Sequence, residues 1–191
     1  MTNLSIIGTG NMGQAIASVA AKGGHSVQQL GENDLGSAVT GDVVVLAVPY
    51  PAVDEVIAQR GEQLAGRIVV DITNPLDFET FDELVVPADS SAAAEIAAKL
   101  PTSRVLKAFN TTFAGTLAAG TVGALPTTVL IAGDDGDAKV TLARVVTDGG
   151  LNAIDAGSLK RAREMEALGF LQLTLAARDK VSWTGGFGVA A

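Results

Sequence analysis

The chain has 191 residues, of which 48% are apolar and 18% charged, and its formal net charge is −8. We expect one domain with a full core, because the length is small for a nucleotide domain joined to a separate substrate domain. The acidic balance and the scattered Lys and Arg residues argue against a nucleic-acid partner. With no Cys and a single His, thiol chemistry is excluded and a dedicated metal site is not expected.

Signals for secretion or membrane insertion are missing from the sequence. The first residues run straight into a strand pattern, and no apolar stretch approaches the ~18 residues that a membrane helix needs. We therefore expect a cytoplasmic protein without a membrane partner.

The opening of the chain carries the most specific motif. A predicted strand over Leu4–Ile7 is followed by Gly8-Thr9-Gly10-Asn11-Met12-Gly13 and then by a helix that stops at Gly23-Gly24. In this G-x-G-x-x-G pattern the first glycine permits a tight turn, the second lets a pyrophosphate approach, and the third lets the helix pack on the strand. The helix N-terminus supplies free N–H groups for phosphates. The pattern predicts a dinucleotide site, the alternative being a Gly-rich turn that binds nothing.

Strands and helices alternate along the rest of the chain. The predicted strands are Val27–Leu30, Val43–Val48, Ile68–Ile72, Val105–Phe109, Thr128–Ala132 and Asn152–Asp155. The predicted helices are Pro51–Leu64, Ser91–Leu100, Thr112–Ala119, Asp137–Asp148 and Leu159–Arg178. Continuous apolar, β-branched strands are typical of a sheet covered on both faces. We therefore predict a single Rossmann-like α/β domain over residues 1–191, with a doubly wound, mostly parallel sheet.

Two segments depart from the ordinary pattern. The connection from Leu30 to Val43 is too short for the usual helix, so the adenosine end of the site is predicted to be open. The last helix is apolar nearly all round, since one face carries Met165, Leu168, Leu171 and Leu175 and another carries Phe170 and Leu173. The sheet covers one side, and a second subunit is the simplest cover for the other. Residues 158–191 are therefore predicted to be a dimer or acceptor-site element, and the protein a homodimer.

Ligands bind at the carboxyl edge of such a sheet, so the residues after each strand are candidates. Prolines in Val48-Pro49-Tyr50-Pro51 and Thr73-Asn74-Pro75 form rigid walls suited to a ribose or nicotinamide ring, although prolines also simply end strands and start helices. Asn74 and Asn110 offer amides for a carboxamide or ring carbonyl, and serve equally well as turn residues or caps.

The residues after the second strand bear on the choice between the two nicotinamide cofactors. They are Gly31-Glu32-Asn33-Asp34, and no Lys or Arg occurs between Lys22 and Arg60. A 2′-phosphate would lie uncompensated beside Glu32, whereas that carboxylate accepts hydrogen bonds from a free 2′-hydroxyl. Locally this favours NAD over NADP, unless Glu32 is only a solvated loop charge or a basic residue arrives from elsewhere in the fold.

Several other polar or aromatic residues have structural interpretations. His25 lies in the turn after the first helix, at the wrong end of the sheet for the site, and is expected to be structural. Asp134-Asp135 is expected to form a turn and cap a helix. Trp183 and Phe187 of the tail are expected to pack in a core or dimer seam, with a lid over a flat ring as the alternative.

Five motifs follow one another along nearly the whole chain: Ile7–Gly13, Leu46–Tyr50, Val70–Pro75, Val105–Thr111 and Ile154–Ser158. In their order and spacing the chain resembles the NADP oxidoreductases that act on a deazaflavin coenzyme, and it is similar to the cytosolic domain of six-transmembrane metalloreductases. The resemblance implies a Rossmann-like domain, often dimeric, in which the nicotinamide and a flat isoalloxazine-type ring stack beside the fourth and fifth strand ends.

The resemblance also implies roles for particular positions. Pyrophosphate would be held by Thr9, Asn11 and Met12; the ribose side by Val48 and Pro49; and the nicotinamide or acceptor side by Thr73, Asn74, Phe109 and Asn110. In one place the chain departs from the family, which usually has Ser-Arg or Ser-Lys where this chain has Glu32-Asn33.

The leading hypothesis is an oxidoreductase that moves hydride between NADP or NAD and a flavin-like or deazaflavin ring. That reaction needs stacking and orientation rather than a strong acid or base, so no catalytic side chain is expected. One alternative is a reductase of a small carbonyl or imine, with Lys107 or a water as proton source, although Lys107 could equally extend to solvent. Another alternative is a dinucleotide-binding sensor without turnover.

Overall fold

A computed structural model describes residues 1–34 and 36–190. The strands are β1 (Asn3–Ile7), β2 (Ser26–Leu30), β3 (Val43–Leu46), β4 (Ile68–Asp71), β5 (Arg104–Ala108), β6 (Thr121–Val122), β7 (Leu125–Pro126), β8 (Thr128–Gly133) and β9 (Asn152–Gly157). The helices are α1 (Asn11–Lys22), α2 (Val53–Leu64), α3 (Ala92–Lys99), α4 (Ala114–Ala119), α5 (Gly136–Asp148) and α6 (Ala162–Ala177).

Seven strands form one twisted sheet in the order β2-β1-β3-β4-β5-β8-β9. Strands β1 to β5 are parallel to one another. The chain passes from β1 outward to β2 and then back to β3 on the other side of β1, which opens a crevice at the carboxyl ends of β1 and β3. The predicted Rossmann-like, mostly parallel single domain is confirmed.

One part of the strand pattern differs from the prediction. The alternation suggested a βαβ series from end to end, but β8 runs antiparallel to β5. Between them the chain forms the short helix α4 and a small hairpin of β6 and β7, which was not predicted. Because this connection does not return to the opposite edge of the sheet, β8 starts at the edge where β5 ends. The last unit is again parallel, with β9 beside β8.

Helices cover both faces of the sheet, which explains the apolar strands. Helices α1, α4 and α5 pack on one face, and α2 and α3 on the other. All four residues of β3 are fully buried because they are covered from both sides. Polar side chains start two of the helices: Ser91 Oγ accepts the Ala94 N–H at 3.1 Å and Asp135 Oδ1 accepts the Ala138 N–H at 2.8 Å. Of the Asp134-Asp135 pair, Asp135 caps α5 as predicted, whereas Asp134 Oδ1 accepts the Leu159 N–H at 3.0 Å.

The connection between β2 and β3 is short, as predicted. Its described residues contain one 3₁₀ turn, Glu32–Asp34, and no α-helix. His25, at the other end of the sheet, is buried; its Nδ1 accepts the Thr2 N–H at 3.1 Å and its Nε2 lies 3.3 Å from Asp148. Those contacts are structural, as expected. No helix in the described part of the chain is long and apolar enough to cross a membrane.

Candidate active site

The three glycines of the opening motif are needed for three different reasons. Gly8 has φ 121°, and a Cβ there would overlap the carbonyl oxygen of Ala47. A Cβ on Gly13 would overlap the carbonyl oxygen of Gly8. Gly10 has φ −70° and nothing within 4 Å of its Cβ position, so the fold itself does not require glycine there. The open space beside Gly10 is what an approaching pyrophosphate requires.

The N-terminus of α1 faces this open space. Gly10 is the N-cap and offers no side-chain oxygen, and the first turn contains no acidic residue. The first N–H groups of the helix therefore lack side-chain partners and carry the positive end of the helix dipole. Gln14 holds the loop in shape, since its Nε2 donates to the Thr9 carbonyl at 2.8 Å. This arrangement suits a pyrophosphate without any basic side chain.

A cavity of about 440 Å³ lies next to the glycine loop. Its lining is mostly apolar and amide, with no titratable side chain among the described residues that form it. The residues are Asn11, Met12, Ile72, Asn74, Phe109, Asn110, Thr112, Phe113, Ala114, Gly115, Leu173, Trp183 and Thr184. Asn11 and Met12 belong both to the glycine loop and to the cavity wall, so the two features form one continuous site.

Aromatic rings form much of the wall. Phe109 is buried and has φ 63°, a strained backbone conformation for a residue of this size. Strand β5 therefore ends at Ala108, one residue before its predicted end. The rings of Phe113 and Trp183 lie 5.1 Å apart, centroid to centroid. Trp183 is 51% exposed, so within this chain it closes the outer side of the cavity instead of packing in the core.

The tail that carries Trp183 is anchored at defined points. Gln172, buried on α6, accepts the Phe187 N–H at 3.0 Å and donates to the Thr111 carbonyl at 3.3 Å. Gly115 allows the tail to pack closely on α4, because a Cβ at this position would lie 3.0 Å from the Trp183 carbonyl oxygen. Phe187 is partly exposed and lies outside the cavity wall. The tail is thus fixed across the mouth of the cavity.

Asn74 and Asn110 form a reciprocal amide pair at the floor. The Asn74 amide donates to the Asn110 carbonyl, and the Asn110 amide donates to Asn74 Oδ1 and to the Met165 carbonyl, each at 2.9 Å. Gly169 lets α6 pack directly on the Asn74 side chain, since a Cβ at this position would overlap Asn74 Oδ1. Two buried oxygens here have no partner in the described chain, Asn110 Oδ1 and Thr73 Oγ1. The pair therefore serves as a structural brace between the ends of β4 and β5 and helix α6.

Lys107 does not occupy either position that the sequence suggested. It is fully buried, with Nζ 2.7 Å from Asp71 Oδ2 and 2.9 Å from Glu166 Oε1, and it donates to the Thr73 carbonyl at 2.6 Å. It neither extends to solvent nor lines the cavity. The alternative in which Lys107 extends to solvent is wrong, because its ammonium group is buried between two carboxylates. Its position also gives no support to a role as proton donor to a substrate.

Glu166 completes this buried charge cluster of Asp71, Lys107 and Glu166. Its carboxylate also accepts the N–H groups of Ala92 and Ala93 at 2.9 and 3.2 Å, at the start of α3. Burial raises the pKa of the Glu166 carboxyl above its ordinary value, and the Lys107 ammonium opposes that rise. The sequence analysis missed both acids, although each interrupts an apolar segment, Ile68–Ile72 or α6, where a charge requires a buried partner.

The turn after β3 borders the crevice. Val48 is half-buried and Pro49 exposed. The Tyr50 hydroxyl that follows donates to Glu95 Oε2 at 2.5 Å, joining this turn to α3. Burial and the nearby Glu95 raise the pKa of Tyr50, so its hydroxyl stays protonated as a donor. This hydrogen bond fixes the turn that contains Val48 and Pro49, the residues predicted to border the ribose.

The structure brings five of the predicted residues into the cavity wall: Asn11, Met12, Asn74, Phe109 and Asn110. The others follow the carboxyl edge outside it: Gly8, Thr9, Gly10 and Gly13 after β1, Glu32 and Asn33 after β2, and Val48 and Pro49 after β3. Thr73 is buried below the floor. The sequence analysis did not assign Thr112, Phe113 or Leu173 to the site, although the first two closely follow Asn110. Among the described residues no group of acids and histidines could hold a metal.

Comparison with known proteins identifies the family. The model of the family described as NADP oxidoreductase, coenzyme F420-dependent, matches residues 29–75. The chain is 33% identical over 162 residues to the F420-dependent NADP reductase of Methanocaldococcus jannaschii, covering 82% of this chain and 71% of that protein. This chain belongs to the F420-dependent NADP reductase family.

Two further similarities extend that result to the family's relatives and its fold. The chain is also 37% identical over 112 residues to the metalloreductase STEAP3 of Rattus norvegicus, covering 59% of this chain but 22% of that protein. The crystal structure of a protein from Arthrobacter sp. FB24, itself only provisionally named an F420-dependent NADP reductase, superposes with a TM-score of 0.86 over 100% of both chains at 24% identity. Both predicted resemblances are confirmed, and so is the fold over the whole chain.

Proposed function

We propose that this protein transfers hydride between a nicotinamide dinucleotide and a flat ring of the deazaflavin or flavin type. One observation carries the proposal: the glycine loop, shaped for a pyrophosphate, continues through Asn11 and Met12 into an aromatic-walled cavity. A dinucleotide with its phosphates on α1 therefore directs its nicotinamide toward a space suited to a second flat ring. The Methanocaldococcus relative is an F420-dependent NADP reductase, which supports a dinucleotide and a deazaflavin as the two substrates.

The residues of this chain act by binding and orientation. Thr9, Asn11 and Met12 hold the pyrophosphate together with the N–H groups of α1, and Val48 and Pro49 border the ribose. The nicotinamide and acceptor rings lie among Asn74, Phe109 and Asn110, above Thr73. When bound, the reduced nicotinamide would supply a hydride, and the acceptor ring would take up that hydride together with one proton from solvent. Since the described cavity wall has no titratable side chain, the chain supplies proximity and orientation rather than acid–base catalysis.

The setting of this activity is also part of the proposal. We propose a cytoplasmic homodimer with no membrane or nucleic-acid partner. The absence of Cys and the net charge of −8 support this assignment. The half-exposed leucines of α6 support the second subunit, and residues 158–191 serve as the dimer and acceptor-site element.

The test is a turnover assay with a tail variant. The full chain is mixed with NADH or NADPH carrying deuterium at the transferred position, and with F420 or FMN as acceptor. We expect the acceptor absorbance to bleach in step with dinucleotide oxidation and the deuterium to appear on carbon in reduced F420. In reduced FMN the transferred atom lies on an exchangeable N–H, so that reaction is followed by absorbance alone. Trp183→Ala should raise the KM for the acceptor about tenfold, because a stacking surface is lost, while Phe187→Ala, outside the cavity wall, should leave it nearly unchanged.

Two results would contradict the proposal. Tight dinucleotide binding with no transfer to either ring would support the sensor, and reduction of a ketone or imine in place of the ring would support the other reductase. Equal effects of the two tail variants would remove Trp183 from the acceptor site.

A further inference from the structure

We infer that the dinucleotide taken by this chain is NADH rather than NADPH. The inference rests on the proposed function, because it concerns the adenosine end of the same binding edge. It also sets this chain apart from its relatives, which are named NADP reductases. The observations come from the connection between β2 and β3, where Rossmann-like proteins meet the adenosine ribose.

Two carboxylates lie at the end of β2. Glu32 is exposed in the 3₁₀ turn, and the Asp34 carboxylate folds back so that its Oδ2 accepts the Gly31 N–H at 2.8 Å. A Cβ at Gly31 would lie 3.4 Å from Thr9 Cγ2 and 3.6 Å from Asp34 Oδ2. The Asp34 carboxylate is therefore close to the glycine loop that receives the pyrophosphate.

This geometry suits a free ribose and opposes a phosphate. The Gly31 N–H, a donor that a phosphate could have used, is already bound by Asp34. A 2′-phosphate carries about −1.5 to −2 charges and would meet Glu32 and Asp34 in a turn whose own described residues, Glu32–Asp34, include no cation. The two hydroxyls of an unphosphorylated ribose are donors, and carboxylates accept from them.

The cations that reach this connection from elsewhere bind its backbone instead. Arg60 of α2 is 3% exposed and donates to the carbonyls of Asp34 at 2.5 Å and Ser37 at 2.7 Å. Arg67 donates to the Val39 carbonyl at 3.0 Å and also to the Gly41 carbonyl. Both guanidinium groups thus hold the shape of the connection from the α2 side, and the burial of Arg60 leaves little surface for a phosphate.

The experiment is calorimetric titration of the full chain with NADH and NADPH separately, repeated with Glu32→Arg. Unaltered protein should bind NADH at least about tenfold more tightly than NADPH, since like charges within a few ångströms repel even near solvent. Glu32→Arg should lower the ratio of the NADPH Kd to the NADH Kd by about tenfold, mainly through tighter NADPH binding. Glu62→Arg changes the net charge equally on the exposed face of α2, and it should leave the ratio unchanged.

Each alternative outcome has a separate meaning. Tighter binding of NADPH by the unaltered protein would overturn this inference and leave the proposed function standing. Binding of neither dinucleotide would overturn the proposed function and the inference with it. An NADH preference that Glu32→Arg does not shift, or that Glu62→Arg shifts equally, would overturn the role of the β2 turn.

Discussion

Single residues divide the glycine loop into parts that serve the fold and a part that is free for a ligand. Gly8 and Gly13 are required because any Cβ would enter the backbone of a neighbouring turn. Gly10 meets no such neighbour, and its φ of −70° is open to any residue. A side chain at Gly10 would therefore harm binding at little cost to the fold, which separates the two roles experimentally.

The matched variants are Gly10→Val and Gly8→Ala. We expect Gly10→Val to weaken dinucleotide binding by about 100-fold or more, because its side chain fills the pyrophosphate space. The free energy of unfolding should fall by at most about 1 kcal/mol, because Val is a poorer N-cap of α1 than Gly. Gly8→Ala should lower the free energy of unfolding by about 2–4 kcal/mol, through backbone strain and overlap with Ala47. Calorimetry and thermal unfolding measure the two effects. Unchanged affinity in Gly10→Val would show that the loop does not bind the dinucleotide.

At the level of elements, the buried charge cluster ties the floor of the cavity together. Lys107 of β5 joins Asp71 of β4 to Glu166 of α6, and Glu166 also caps α3. Lys107 and Asp71 hold the Thr73 peptide from both ends, through its carbonyl and its N–H. Helix α6 is thereby docked over the ends of β4 and β5, where the Asn74 and Asn110 amides are set.

Removal of the central cation tests this arrangement. Lys107→Met should cost about 3–5 kcal/mol of unfolding free energy, because two buried carboxylates lose their partner. Lys99→Met, which breaks the exposed pair with Asp54, should cost at most about 1 kcal/mol. Denaturant unfolding measures both. Equal losses would mean that the cluster is not a stabilising unit.

The same variant has a predicted pH dependence. The pKa of Glu166 is raised in the folded protein, and without Lys107 it should rise further. A group whose folded pKa lies above its unfolded value stabilises the fold at low pH, and that contribution is lost as the pH rises through the folded pKa. The cost of Lys107→Met should therefore be larger at about pH 8 than at about pH 5. A cost that is constant or larger at the acidic end would contradict this assignment.

For the whole molecule, one partly exposed apolar face lies along α6. Leu171 is 50% exposed and has the half-buried Leu168 and Leu175 as its neighbours on one helix face. Met165, which the pattern placed on the same face, is buried against the rest of the chain. A second copy of the chain that packs on this leucine stripe would remove its apolar surface from water.

Charge insertion on the stripe tests the dimer. We expect a dimer in sedimentation velocity, and Leu171→Glu should weaken it by at least about 30-fold, since it buries an unpaired charge at the interface. Val140→Glu on α5 is the control, because Val140 is also an exposed apolar residue, at 60%, but lies on another helix. A monomer in the unaltered protein, or equal effects of both variants, would remove the stripe as the interface.

The sequence by itself determined the features that depend on local pattern. Strand and helix periodicity, the spacing of Gly8, Gly10 and Gly13, and the motifs at the strand ends were sufficient for the Rossmann-like class, the family and much of the carboxyl edge. Strand bounds differed by a residue or two; β5, for example, ends before Phe109 because that residue takes a positive φ.

Only the tertiary structure decided the features that depend on partners far along the chain. The antiparallel direction of β8 follows from the path of the preceding connection, and no local periodicity encodes it. The inward turn of Lys107 needs Asp71, 36 residues away, and Glu166 on the last helix. Trp183 borders the cavity because Gln172 and Gly115 position the tail. In each case the outcome follows from burial and pairing between distant segments, which a local pattern cannot specify.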